Sequence, residues 1–409
     1  MRITEIQSLH ADGGWRPFSY LKMSTDEGQV GWAEYSTNFG SIGLSDTIDR
    51  LGARLIGSDP RQITAKVSEL LAATRQSPGG NAFQAIAALQ NCMFDIKAKA
   101  LEVPVASLFG GIIRDRIELH WSACGANRTA YSDLLGVSPI RTIADVTTCA
   151  RDGAARHFKA LKSKILVSHG GALRQYIPGF GSGGRPTALN AEPSLVREIT
   201  RLMEALRDGA GRKVELMLDV DCNFRTDGLI TLARALEPLD LSWIEVDSID
   251  PQALALLRNA TSVPIASGET LYGRDQFRPF FEAGSLDVAV VNVPSNGYAE
   301  ALRIAQMAEP YEINVVAHHH LGNLALAMSA QLCAAIPNLR ALDTEVDSVT
   351  WQDELVSAPE IQDGHLILAD APGWGVEVHE DAIRARPART DYETRFDRNA
   401  AAGSAEAVA

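Results

Sequence analysis

The sequence predicts an α/β protein: a (β/α)8 barrel of the TIM type with an N-terminal α+β capping domain that the C-terminal segment completes. Three observations predict it. The 409 residues exceed what one core of ordinary size organises. From Arg116 onward, short apolar strands alternate with helical stretches through eight repeats. Before Arg116 and after about Ile361 that alternation is missing. The expected boundaries are 1–115 for the capping domain, 116–360 for the barrel, 361–395 for the C-terminal segment and 396–409 for a disordered tail.

In the capping domain, Ile3, Ile6 and Leu9 lead into a strand. Tyr20–Met23 and Val30–Ala33 are short strands joined by a turn at Asp26-Glu27-Gly28. Helical spacing follows over Ser45–Ile56, Ile63–Thr74 and Asn81–Ala100, and Pro104 with Gly110-Gly111 punctuates the chain. The barrel strands are expected near Ile117–Ser122, Phe158–Leu166, Val214–Val220, Leu241–Val246, Val263–Ala266, Asp287–Val291, Ile313–Ala317 and Leu339–Leu342. Between them, Thr226–Leu236, Pro251–Asn259, Ala299–Ala308 and Leu324–Ile336 read as helices. A doubly wound sheet also alternates but does not normally need eight strands. Between Ser168 and Pro193 stand six glycines and two prolines, a long connection after the second barrel strand. Such a loop lies at the catalytic face, where it is either a surface insertion or a lid closing through Arg174, Tyr176 or Arg185.

Composition narrows the function. The chain is 46% hydrophobic and 22% charged with a formal net charge of −13, so it lacks the basic surplus of a nucleic-acid binder. An anionic substrate remains compatible, because a bound cation reverses the local sign. Met1–Gln7 has no apolar signal-peptide core, and no apolar run approaches the ~18 residues of a membrane span. Cys92, Cys124, Cys149, Cys222 and Cys333 are scattered and read as buried thiols in a reducing compartment. The cytoplasm is the expected location.

The polar residues at strand ends carry the chemistry. The second barrel strand ends in Lys162-Ser163-Lys164, with both lysines on one face. The third ends in Asp219-Val220-Asp221-Cys222-Asn223, the fourth in Glu245 and the fifth in Glu269. Asn292 follows the sixth, His318-His319-His320 the seventh, and Asp343 ends the eighth. A single acid at a strand end is ordinarily a helix cap or a solvated residue. Three carboxylates on consecutive strands repel one another unless a cation sits between them. Oxygen-only ligands select a hard ion such as Mg²⁺.

These motifs resemble the enolase superfamily, and its mandelate racemase branch in particular. The resemblance runs from the Ile-x-x-Ile start through Gly31-Trp32-Ala33-Glu34 to Pro372-Gly-Trp-Gly-Val-Glu377. It implies one Mg²⁺ per subunit, held by Asp219 in Leu-Met-Leu-Asp, Glu245 in Trp-Ile-Glu and Glu269 in Ser-Gly-Glu-Thr. It matches the family's Lys-x-Lys to Lys162 and Lys164, the latter as base, and its strand-seven histidine to His319, with His318 in the place of a proline. Lys162 is expected to lower the pKa of Lys164 by like-charge repulsion. Three positions depart from the family pattern. Asn292 stands for the aspartate that charges the histidine, Asp343 for a longer glutamate, and Asp221 for an asparagine.

The expected activity is abstraction of the proton α to a carboxylate, as in dehydration of a sugar acid to a 2-keto-3-deoxy acid. The alternatives are a racemase or epimerase of a 2-hydroxy acid, and a metal- and ligand-binding homologue with little turnover. The expected partner is a small-molecule carboxylate, met by Asp221, Asn223, Trp15, Arg16, Tyr176 and the stretch Asn38–Ser41. No nucleic acid or membrane is expected, and the chain is expected to form a homo-oligomer.

Overall fold

The computed structural model describes residues 1–38, 41–178 and 188–392. Strands β1 (Ile3–Asp12), β2 (Pro17–Thr25) and β3 (Val30–Tyr35) form an antiparallel sheet in that order. Helices Leu44–Gly52, Ile63–Ala73 and Gly80–Ala100 accompany it. At Gly31 a Cβ would lie 2.2 Å from the Cys92 carbonyl, so only glycine lets β3 press so closely on the helix Gly80–Ala100.

The barrel closes as expected. Its eight parallel strands are β4 (Arg116–Trp121), β5 (Ala160–Lys164), β8 (Glu215–Asp219), β9 (Trp243–Glu245), β10 (Ile265–Ser267), β11 (Val288–Asn292), β12 (Asn314–His318) and β13 (Leu339–Thr344). Pairing of β13 with β4 completes the ring. The stretch after β5 differs from the expected loop. Leu166–His169 (β6) and Ala172–Gln175 (β7) form an antiparallel hairpin, turned at Gly170-Gly171. Arg185, residues 39 and 40, and the tail 396–409 lie outside the described residues.

Alternation along the strands builds the barrel interior in levels. Ala160, Met217, Trp243, Ala266, Val288, Val290 and Val316 form an apolar cluster of their own, separate from the main core. Two residues further along the same faces come Lys162, Asp219, Glu245, Asn292 and His318. Apolar packing below thus holds a polar layer at the C-terminal mouth. Among the described residues no helix is long and apolar enough to cross a membrane.

The C-terminal segment divides between both parts of the molecule. Its hairpin, β14 (Ile361–Gln362) and β15 (His365–Ile367), joins the barrel by antiparallel pairing with β4, which corrects the expectation that the whole segment packs on the capping domain. Beyond it, Trp374 reaches that domain. Its indole Nε1 donates to the Trp32 carbonyl at 2.8 Å and its backbone N–H to Asp95 Oδ1 at 3.1 Å. Lys22 pairs with Glu380 at 2.6 Å.

Glu34, at the end of β3, ties the capping domain to the barrel. The helix Asn323–Ala335 begins at Gly322 without a side-chain cap of its own. Glu34 supplies one from outside: Oε1 accepts from Gly322 N–H at 2.7 Å and Oε2 from Ala325 N–H at 2.9 Å. Burial pushes this carboxyl up to about 7, against the two N–H donors and Arg16, which hold it down. Tyr20 also faces it. Because the folded-state pKa lies above the unfolded value near 4.5, the folded protein keeps this proton longer. The contribution is therefore fullest below about pH 4.5 and is lost as pH rises towards 7, by about 3 kcal/mol at most. Glu34→Gln removes that titration. The wild-type advantage in melting temperature over Glu34→Gln is expected to shrink between pH 5 and pH 8, and a constant difference would contradict this account.

Candidate active site

Asp219 ends β8, Glu245 ends β9 opposite it in register, and Glu269 follows β10 by two residues. One carboxylate oxygen from each lies within 4.8 Å of the others. Burial, reinforced by Asp219, Asp343 and Glu269, pushes Glu245 up to about 8 although Lys162 opposes it. Burial likewise lifts Glu269 to about 7, against Lys164. Burial would raise Asp219 too, but Lys164 and Lys162 outweigh it and hold that carboxyl below its ordinary range. Glu245 Oε1 is buried with no hydrogen-bond partner. Three oxygen donors, crowded and incompletely satisfied, suit a hard divalent cation.

The lysines divide the labour. Lys162 is enclosed by the barrel, 2.8 Å from Glu245 Oε2 and 2.6 Å from Asp343 Oδ2. Lys164 reaches the cavity, 2.5 Å from Asp219 Oδ2 and 2.6 Å from Asp221 Oδ1. Burial would lower the pKa of Lys164, but Asp219, Asp221 and Glu269 overcome it and raise it well above the ordinary value. The expected depression by Lys162 is therefore corrected: the nearer carboxylates dominate, and the charge of Lys162 is taken up by Glu245 and Asp343.

The histidine assignment also changes. In the pairing of β11 with β12, Asn292 stands beside His318, and His318 continues the inward face begun by Val316. Asn292 Nδ2 lies 2.9 Å from His318 Nδ1, while Asn292 Oδ1 accepts from Ser295 N–H at 2.9 Å. That second bond orients the amide, so its N–H donates to Nδ1 and leaves the proton of the neutral ring on Nε2. Nε2 is 3.3 Å from Glu269 Oε2. Burial first, then His320 and the two lysines, lower the His318 pKa well below its ordinary value. His319, the expected partner of Asn292, also lines the cavity above the site but bonds the Gly322 carbonyl through Nε2 at 3.0 Å.

A cavity of about 210 Å³ lies above these groups. Arg16, Ser36, Asn38, Ser41 and Gln84 line its capping-domain side, with Asn127, Asp221, Cys222 and Asp247 on loops that follow the barrel strands. Of the expected substrate contacts, Arg16 and Asp221 line it. Trp15 instead stacks on Tyr131, with ring centroids 5.2 Å apart, and supports Arg16. Tyr176 stacks on Phe224, and its neighbours Gln175 and Ile177 face the cavity in its place. Asn223 is buried and bonds the Val220 carbonyl at 3.0 Å, a turn-forming contact. Cys222 is exposed, unlike the other four cysteines. Sequence reasoning missed Asp247, whose Oδ1 is buried without a partner; its signal was the two-residue spacing from Glu245. Burial, aided by Glu269, Asp219 and Glu245, raises its pKa well above normal.

Comparison with known proteins gives a consistent lineage. Residues 145–382 match the model of the enolase C-terminal domain-like family, and residues 12–110 match that of the mandelate racemase/muconate lactonizing enzyme N-terminal domain. The chain is 27% identical to a D-xylonate dehydratase of Haloferax volcanii, over 97% of this chain and 90% of that one. It is 28% identical to a D-galactonate dehydratase of Variovorax paradoxus, over 94% of each. Among solved structures it resembles a Burkholderia xenovorans protein provisionally assigned as an L-alanine-DL-glutamate epimerase, with 39% identity and a TM-score of 0.93 over 95% of this chain and 99% of that one. That protein has also been solved bound to magnesium and fumarate; this second structure gives a TM-score of 0.94, with 38% identity, over 98% of this chain and 99% of that one.

The two lysines are expected to respond differently to truncation. Lys162→Ala strands Glu245 and Asp343 in the barrel interior and should cost about 3–5 kcal/mol in denaturant unfolding. Lys164→Ala, at the solvent-facing cavity, should cost clearly less. An equal or larger loss for Lys164→Ala would mean that the structural role belongs to the wrong lysine.

Proposed function

This chain belongs to the mandelate racemase/muconate lactonizing enzyme family of the enolase superfamily, and from that premise we propose that it abstracts the proton α to the carboxylate of a small polyhydroxy acid and expels water, giving a 2-keto-3-deoxy acid. The observation that carries this reading is Lys164, which opens into the same cavity as the Asp219 and Glu269 carboxylates and faces His318 on its wall. Dehydratase relatives at 27–28% identity support the lyase outcome.

Asp219, Glu245 and Glu269 would hold Mg²⁺, which supplies positive charge where the substrate carboxylate gains negative charge on deprotonation. With Asp219 and Glu269 committed to a cation, their hold on the ammonium form of Lys164 would weaken, and Lys164 is the amine that would take the α-proton. Asp343 and Lys162 keep Glu245 in place from below. Arg16 is paired with Glu345 at 2.7 Å, so the capping-domain wall offers amides and hydroxyls in preference to a bare charge. Such a wall suits the hydroxyl-bearing tail of a sugar acid.

His318 is the group placed to assist the departing hydroxyl, and Asn292 limits it. An aspartate at that position would accept from Nδ1–H and favour imidazolium; the amide donates to Nδ1 and favours the neutral ring. Proton abstraction should then outrun hydroxyl loss. A second reading follows from the same point and from the 39%-identical Burkholderia protein: return of the proton without loss of water, an epimerisation.

Three measurements test these assignments. Exhaustive chelation should abolish turnover on a responsive sugar acid and Mg²⁺ should restore it; full activity after chelation would remove the three carboxylates from the ligand role. Lys164→Ala should lower both α-deuterium exchange and product formation by a factor of ~10²–10⁴, the usual contribution of a positioned base. Following deuterium incorporation and 2-keto acid together, exchange should lead in the wild type, and Asn292→Asp should shift the ratio towards keto acid. Exchange with inversion and no keto acid in either protein would favour the epimerase.

A further inference from the structure

The run His318-His319-His320 leaves the barrel at the end of β12, and strand alternation splits it. His318 turns inward, His319 bonds Gly322 on the capping-domain side, and His320 returns to the side of His318. The rings of His318 and His320 lie 4.9 Å apart. Glu269 closes the group, with Oε2 3.3 Å from His318 Nε2. One ligand atom from each of Glu269, His318 and His320 lies within 4.8 Å of the other two.

We propose that Glu269, His318 and His320 form a second cation site, which takes a borderline divalent transition-metal ion such as Zn²⁺ through two imidazole nitrogens and one carboxylate oxygen. The site does not depend on the proposed reaction being right, although it takes in His318, and it shares only Glu269 with the Mg²⁺ triad. Its donor set differs in kind. The His318 and His320 rings lie side by side, close enough for one nitrogen of each to reach a single ion, and imidazole nitrogen suits Zn²⁺ or Co²⁺ where Mg²⁺ wants oxygen alone. Three protein ligands leave a fourth position open. Because Glu269 belongs to both sets, an ion drawn to the histidines withdraws that carboxylate from Asp219 and Glu245. Zn²⁺ therefore antagonises Mg²⁺.

Asn292 tempers the site. A metal on His318 Nε2 requires the ring proton on Nδ1, where Asn292 now donates. The amide must turn over and give up its bond to Ser295 N–H. An aspartate would accept from both, the usual outer support of a metal-bound imidazole, which is worth roughly 10–100-fold in metal affinity.

The test is calorimetric titration of the metal-stripped full-length protein with Zn²⁺ and separately with Mg²⁺, together with the visible absorption of Co²⁺. Wild type should bind one Zn²⁺ per chain and show a Co²⁺ band characteristic of nitrogen ligation. His320→Gln should weaken Zn²⁺ binding at least tenfold and erase the band while changing Mg²⁺ affinity less than twofold. Asn292→Asp should tighten Zn²⁺ binding about tenfold. Unchanged Zn²⁺ affinity in His320→Gln, or loss only in Glu245→Gln, would overturn the proposal. Zn²⁺ binding that persists in a wild type with no affinity for Mg²⁺ would instead sink the Mg²⁺ assignment and leave this site standing.

Discussion

Lys162 rises from the middle of β5 and ends between Glu245 and Asp343, at 2.8 and 2.6 Å, with water excluded on every side. The interior of the barrel mouth depends on that contact. Each buried carboxylate costs several kcal/mol to desolvate unless a partner compensates it, and among the described residues Lys162 and Lys164 are the cations that face Asp219, Asp221, Glu245, Glu269 and Asp343 from within the layer. The lysines satisfy part of the set. The deficit falls on Glu245 and Glu269, pushed up to about 8 and 7. A dication between the three carboxylates would supply what the lysines lack. The apolar cluster around Met217 and Trp243 keeps water from settling the account from below.

Much of this was legible in the sequence, for a physical reason. Parallel strands buried on both faces read as short apolar runs, so a polar residue at a strand end stands out. Asp219, Glu245 and Glu269 did so, and the barrel register then brought them together. The family motif pointed to His319, which does line the cavity, whereas alternation points to His318 as the partner of Asn292. Val316 faces inward, and a period of two carries that face to His318. The hairpin Leu166–Gln175 was hidden by its Gly170-Gly171 turn, which reads as loop when only composition is weighed. Tyr176 and Trp15 looked like substrate contacts by residue type, yet each is consumed by an aromatic neighbour that lies far away in sequence. Asn223 went the same way, bound to its own turn.

Glu34 marks what periodicity cannot reveal. It sits at the end of a buried strand among apolar neighbours, and its partners are backbone N–H groups almost 290 residues later. No local pattern links the two. The only cue is that Gly322 opens a helix without a capping side chain, so that the cap has to come from elsewhere.

That cap has a consequence for the site. Gly322 donates to Glu34 through its N–H and accepts from His319 through its carbonyl. A Cβ at Gly322 would lie 2.9 Å from Glu34 Oε1, so any larger residue there would displace the carboxylate from its place at the helix start. His319 is thereby linked to the capping domain through Gly322, while the rings of His318 and His320 lie together 4.9 Å apart. The capping domain does more than roof the cavity with Arg16, Asn38 and Gln84. Through one buried carboxylate it also holds the start of the helix that follows the histidine run, at the residue His319 bonds.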